Sequence, residues 1–226
     1  MHNKQIVLNW TVNQLWNGCI LASIAHAIMA AHYPEFSYEQ SWDGKNYNIQ
    51  DGARIRGTIT FKNNNCVAAF RNDKSIRTSI KMKNVIDYFD FAPDDIINLA
   101  LSETLEYLYE NVNGHDFPLI TTAFWGYNNI LYSNDSYDDL LSNGFNIILK
   151  QTLDIESAIN EWKSYYNMST QQIKLLRIIY KKRIMDVNKV IYISDDEIKM
   201  IGSNDKIALN ESYTSFRELK IIKEST

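Results

Sequence analysis

YEQSWDGKNYNIQDGARIRGTITFKNNNCVAAFR, residues 38–71, is the stretch on which the reading of the chain turns. Polar and apolar residues alternate through Arg54-Ile55-Arg56 and Thr58-Ile59-Thr60-Phe61, the period of a β-strand. Across a Lys62-Asn63-Asn64-Asn65 turn the alternation gives way to an apolar run, Cys66-Val67-Ala68-Ala69-Phe70. The Asp43-Gly44 and Asp51-Gly52 pairs supply residues that accept the positive φ of tight hairpins. Together these features predict an antiparallel β-meander and, with the helical patterns around it, an α+β fold.

Upstream, Thr11–Ala31 reads as a helix that is apolar on most faces, which predicts a buried one, packed by the meander. Downstream, Ile76–Phe89 has near-helical apolar spacing, with Ile80 and Met82 among its apolar positions. Pro93-Asp94-Asp95 has the proline and carboxylates of a helix first turn, and the apolar residues after it predict a helix to about Val112. Pro118–Tyr127 (PLITTAFWGY) predicts an interior strand joining the same sheet. A short helix over Ser136–Leu141 and a short strand over Phe145–Leu149 follow. Asp154 is placed to cap a helix over Ile155–Tyr166, and Ser169 with Gln172 to form a capping box for Thr170–Ile184. Val190–Ile193 reads as a strand. Beyond it a capping box at Ser194 and Glu197 competes with a β-hairpin over Ile198–Leu209, and the hairpin is preferred. The turn at Gln151–Leu153 divides a main α+β domain, 1–150, from a helical hairpin with a small β element, 151–226, unless the chain is a single domain.

Composition excludes some partners. The chain has 226 residues, 45% of them hydrophobic and 22% charged, and a net charge of −4. An acidic chain has no electrostatic reason to bind nucleic acid or an anionic membrane. Cys19 and Cys66 are too few for a metal cage, and the four histidines, His2, His26, His32 and His115, are too scattered for one. No cofactor or metal is expected. The first residues, MHNKQIVLNW, lack the pattern of a signal peptide. A cytoplasmic protein without a membrane anchor is therefore expected, and the abundance of Asn, Ile, Lys and Tyr suggests an AT-rich bacterial genome.

Two kinds of site compete. Arg54, Arg56 and Arg71 fall where a sheet would put them on one face. Like charges so placed need carboxylates or a ligand between them, and Glu39, Asp43, Asp51 and Asp73 are near in sequence. Trp42 and Tyr47 beside this face complete the candidate binding set. Five tryptophans and fourteen tyrosines are available for interface hot spots. The expected function is non-enzymatic binding of another protein or an anionic ligand, of the toxin-neutralising or adaptor kind, with oligomeric state open. The alternative is a thiol hydrolase or acyltransferase. Gln14-Leu15-Trp16-Asn17-Gly18-Cys19, with His115 before a strand, resembles the order of parts in papain-like thiol hydrolases. That resemblance implies Cys19 as nucleophile, His115 as base and Gln14 as oxyanion donor, without the aromatic neighbour of the cysteine or a clear third member. Lys181-Lys182-Arg183 is expected to complement a helix dipole.

Overall fold

In the computed structural model, residues 5–78, 84–112 and 114–224 are described. Strand β1 (Ile6–Thr11) runs into helix α1 (Val12–Met29). Thr11 Oγ1 accepts from the Gln14 N–H at 3.2 Å, and Gln14 Oε1 accepts from the Thr11 N–H at 2.9 Å. This reciprocal pair satisfies two donors at the start of a helix and fixes where it begins. The meander then follows as β2 (Gln40–Asp43), β3 (Asn46–Gln50), β4 (Ile55–Lys62) and β5 (Asn65–Asn72). Gly44 takes φ +60° at its first reversal. At the second it is Arg54, at φ +70°, and not Gly52 that enters the left-handed region. Asp51 makes this possible, because its Oδ1 accepts from the Ala53 and Ile55 N–H groups at 2.9 and 2.8 Å and stabilises the turn locally.

Beyond the meander, Ile76–Thr78 and Val85–Phe89 are short 3-10 turns. Ile80 and Met82 of the expected helix lie outside the described residues. Helix α2 (Asp94–Ser102) is shorter than expected: Glu103 leaves helical geometry at φ −143°, a 3-10 turn covers Thr104–Leu108, and the chain then forms a hairpin. That hairpin is β6 (Tyr109–Val112) with β7 (His115–Pro118), turning at Gly114, φ +83°. Next come β8 (Thr122–Tyr127), β9 (Ile130–Ser133) and α3 (Tyr137–Ser142). The strand expected over Phe145–Leu149 is instead a 3-10 helix, Phe145–Thr152. Phe145, Ile148 and Gln151 are all fully buried, a spacing of three that suits three residues per turn and not a strand. Helices α4 (Ile155–Tyr166) and α5 (Thr170–Met185) form with the expected caps at Asp154 and Ser169. After β10 (Ile191–Ile193) the preferred hairpin is replaced by α6 (Asp195–Lys199) and α7 (Lys206–Glu218), then β11 (Ile221–Lys223). The Ser194–Glu197 capping box starts α6, and Asp205 Oδ1 caps α7 through the Ile207 and Ala208 N–H groups. Buried Ala208, Ser212 and Phe216 then recur at helical spacing.

The fold is α+β. Its seven-stranded antiparallel sheet has the order β1-β9-β8-β5-β4-β3-β2, so the strand expected near 118–127 pairs directly with β5. Two compact units are distinguished, residues up to Leu15 with Lys45–Leu149, and Trp16–Gly44 with Lys150 onward. In the first, Val67, Ala69, Phe89, Ile96, Leu105 and Trp125 belong to one apolar cluster on the sheet. In the second, the residues from Cys19 to Ala31, in α1 and the turn after it, are all buried.

Two contacts in the second unit bear on its stability. Gly18 lies so close to the Phe145–Thr152 turn that a Cβ there would sit 1.9 Å from the Gln151 carbonyl oxygen. Backbone cannot yield as a side-chain tip can. Arg183, 2% exposed, donates through Nη1 to the Val187 and Lys189 carbonyls, each at 3.0 Å, and through Nη2 to the Leu219 and Lys220 carbonyls. It therefore clamps the ends of the parallel β10–β11 pair and is no surface complement to a dipole. Gly18→Ala should lower unfolding free energy in urea by about 1–3 kcal/mol, the cost of overpacking a close contact. Arg183→Met, which keeps the stem but removes the donors, should cost roughly 3 kcal/mol through the stranded carbonyls, measured in the same titration.

Candidate functional site

The meander's register sets Arg56 on β4 directly opposite Arg71 on β5. Arg54 precedes β4 in the left-handed turn, so strand alternation does not carry it onto their face, and it is exposed. The two paired arginines share a carboxylate from the β6–β7 hairpin. Glu110 Oε1 bonds Arg56 Nη2 and lies 3.3 Å from Arg71 Nη1. Asp73 Oδ1 accepts from Arg71 Nε at 2.5 Å. Of the four acidic residues near in sequence, Asp73 is thus an ion-pair partner, whereas Asp51 serves its own turn and Glu39 accepts from Tyr165 Oη at 3.0 Å. The 3.3 Å approach to Glu110 gives Arg71 Nη1 charge attraction but not hydrogen-bond direction, and the buried Nη1 has no hydrogen-bond acceptor. Burial, and then the charge of Arg71, lower the pKa of Arg56.

Trp42 and Tyr47 are placed as packing residues. Tyr47 is fully buried on β3. Trp42 is buried as well, donating from Nε1 to Ser23 Oγ at 2.7 Å and from its backbone N–H to Glu218 Oε2 at 2.8 Å. Burial raises the pKa of Glu218.

The residues of the thiol-hydrolase alternative are placed in other roles. Gln14 completes the N-terminal cap of α1. Cys19 is the eighth residue of that helix and fully buried, with its carbonyl accepting from Ser23 Oγ at 2.9 Å. His115 is exposed in the first strand after the hairpin turn, and it and Cys19 belong to different units. Cys66 is also buried, and burial pushes its thiol pKa far up. A thiol in such surroundings stays protonated and is a poor nucleophile.

His26, on α1, is 2% exposed, with Nδ1 3.0 Å from Tyr166 Oη and Nε2 3.2 Å from the Ser37 carbonyl. The geometry assigns the proton to Nε2, which donates to the carbonyl while Nδ1 accepts from the tyrosine. Burial lowers the His26 pKa. His2 lies outside the described residues.

A surface that sequence reasoning missed lies on α5. Its inner side buries Gln172, Leu175, Leu176, Ile179, Tyr180 and Arg183. On the other side Thr170, Ile173, Lys174, Arg177, Ile178 and Lys181 line an open depression of about 400 Å³. The same side continues to Ile184 and Met185, 42% and 77% exposed. Arg177 is held by Glu156 through contacts of 2.5 and 2.6 Å. Neither Lys174 nor Lys181 forms an ion pair among the described residues. The signal was available: at about 100° per residue these positions fall on one side of the helix, apolar as well as basic.

Among the described residues no group of three or more His, Cys, Asp or Glu side chains is placed to hold a metal ion, and no helix is long and apolar enough to cross a membrane. No protein-family model matches the chain, and no curated protein or solved structure is significantly similar to it.

Neutral His26 sets a pH dependence. The unfolded chain takes up a proton near the ordinary histidine pKa of about 6.5, whereas the folded chain does so only at lower pH. Stability is therefore expected to fall as pH drops below about 6.5, by at most about 1.4 kcal/mol per pH unit from this residue. Urea titrations at stepped pH should show that slope reduced in His26→Gln.

Proposed function

We propose that the chain is a non-catalytic binding protein of the neutralising or adaptor kind, which holds an acidic, partly apolar segment of another protein along the outer side of α5. The single observation that carries this reading is the depression lined by Ile173 and Ile178 between Lys174, Arg177 and Lys181. A solvent-facing apolar strip on a helix that already buries its opposite side gains nothing for folding. It gains in association, where each well-buried Ile or Met contributes about 1.5–3 kcal/mol before ordering costs. The flanking cations make acidic partners arrive faster and select against basic ones. They act locally, against a net chain charge of −4.

The reading includes a cytoplasmic setting, supported by two buried cysteines that form no disulfide, the state expected in a reducing compartment. A thiol hydrolase is less well supported, since Gln14 is spent on a helix cap and Cys19 is buried in mid-helix.

The test compares the wild type with Lys174→Glu/Lys181→Glu, two exposed positions whose exchange should leave the thermal midpoint unchanged. A stoichiometric partner recovered from the native source by the wild type should be lost from the variant, and cross-links from Lys174 should reach acidic residues of that partner. Equal recovery by a folded variant, or cross-links confined to other faces, would overturn the assignment. Self-association by sedimentation that the same substitutions abolish would replace it with a second copy of the chain as the occupant.

A further inference from the structure

The arginine pair in the first unit poses a separate problem. A directly opposed pair of like charges on neighbouring strands is destabilising unless something negative lies between them. Here that charge arrives from outside the seven-stranded sheet, because Glu110 is carried by β6, which among the described residues pairs with β7 alone. The base of that hairpin is tied by the Leu119 N–H to the Leu108 carbonyl at 2.9 Å, and Leu108 is buried. Further out, Tyr109 is 47% exposed, and His115 and Asp116 are exposed as well. Glu110 is thus a carboxylate brought to two guanidinium groups on a projecting arm. The fit leaves a donor over, since Arg71 Nη1 is buried with no hydrogen-bond acceptor and its side chain is only 14% exposed.

We propose that Arg56 and Arg71 form a carboxylate-binding site that is filled in this structure by the chain's own Glu110 and is open to an external carboxylate that displaces it. Forked guanidinium groups recognise the planar carboxylate by paired N–H donors, and two of them offer more donors than one glutamate has used here. Asp73 stays in place when the site exchanges its ligand, because it binds Arg71 through Nε and leaves the terminal nitrogens to the incoming group. The ligand class is a carboxylate, either on an acidic peptide or on a small organic acid. This inference does not depend on the α5 surface.

Glu110→Gln keeps the shape of the arm and removes its charge. The variant and the wild type are titrated with acetate and, separately, with an N-acetylated, C-amidated Glu-Glu dipeptide, at constant ionic strength with chloride. Arginine Nε–Hε resonances report on the site. A saturable Arg71 shift is expected in Glu110→Gln, at about tenfold lower ligand concentration than in the wild type, the factor for a latch open about a tenth of the time. Adding Arg71→Met should abolish it. Saturation by the dipeptide alone identifies an acidic peptide as the ligand, and saturation by both probes a free acid. A folded Glu110→Gln that saturates with neither overturns the proposal. If that variant does not fold, the wild type decides. Hydrogen exchange of amides 109–112 and 115–117 must quicken in acetate relative to chloride, and an unchanged rate means that Glu110 is a fixed structural ion-pair partner.

Discussion

Strand β5 has solvent on neither face: Cys66, Val67, Ala68, Ala69 and Phe70 are all fully buried between β4 and β8. A strand in this position tolerates no charge along its length, since a buried unpaired ion costs several kcal/mol. The ionic chemistry of the sheet is consequently pushed to where β5 emerges, and its first charged residue, Arg71, meets Arg56 at once. The hairpin that carries Glu110, the turn that carries Arg54 and the short tie to Asp73 all gather at that exit. The meeting of Arg56 and Arg71 at that exit thus follows from the burial of a single strand.

That strand and its neighbours were legible because their patterns are local. An apolar run bounded by an asparagine turn needs no knowledge of the rest of the fold, and neither do the Ser169–Gln172 box or the Asp154 cap. What failed was of three kinds. Phe145–Leu149 and Ile198–Leu209 are apolar enough for strands, and only a spacing of three in one and of four in the other separates them from that reading. The Tyr109–Val112 strand was hidden by the helix before it, whose apolar pattern runs past the break at Glu103 with no proline or glycine to mark the change. Gly52 misled in another way: the carboxylate of Asp51 shapes the turn so that Arg54 takes the strained position.

The candidate sites were legible to a similar degree. Spacing alone brought Arg56 and Arg71 together, but their shared partner, Glu110, is 54 residues from Arg56 in sequence, and nothing local marks it. Trp42 and Tyr47 were visible as large aromatics, and the sequence holds no cue that both are buried. On α5 the outer isoleucines resemble the inner ones, so the helix shows little contrast between its sides, and Lys181-Lys182-Arg183 read as a complement to its dipole. Gly18 stands beside Cys19 for a packing reason, the nearness of the Gln151 carbonyl, which explains why a motif-like run leads to an inaccessible thiol.

The second unit is assembled from two separated pieces of chain, Trp16–Gly44 and the residues from Lys150 on, with Lys45–Leu149 of the first unit between them in sequence. During synthesis the apolar residues of α1 leave the ribosome early, while α4, α5 and α7 of the same unit do not yet exist. At about 5–20 residues per second the ribosome needs roughly 5–20 s to make the intervening segment. For that interval a helix with almost no polar face has none of those native neighbours to cover it. The order of the polypeptide therefore leaves the apolar surface of α1 without those partners until residues 45–149 have been made.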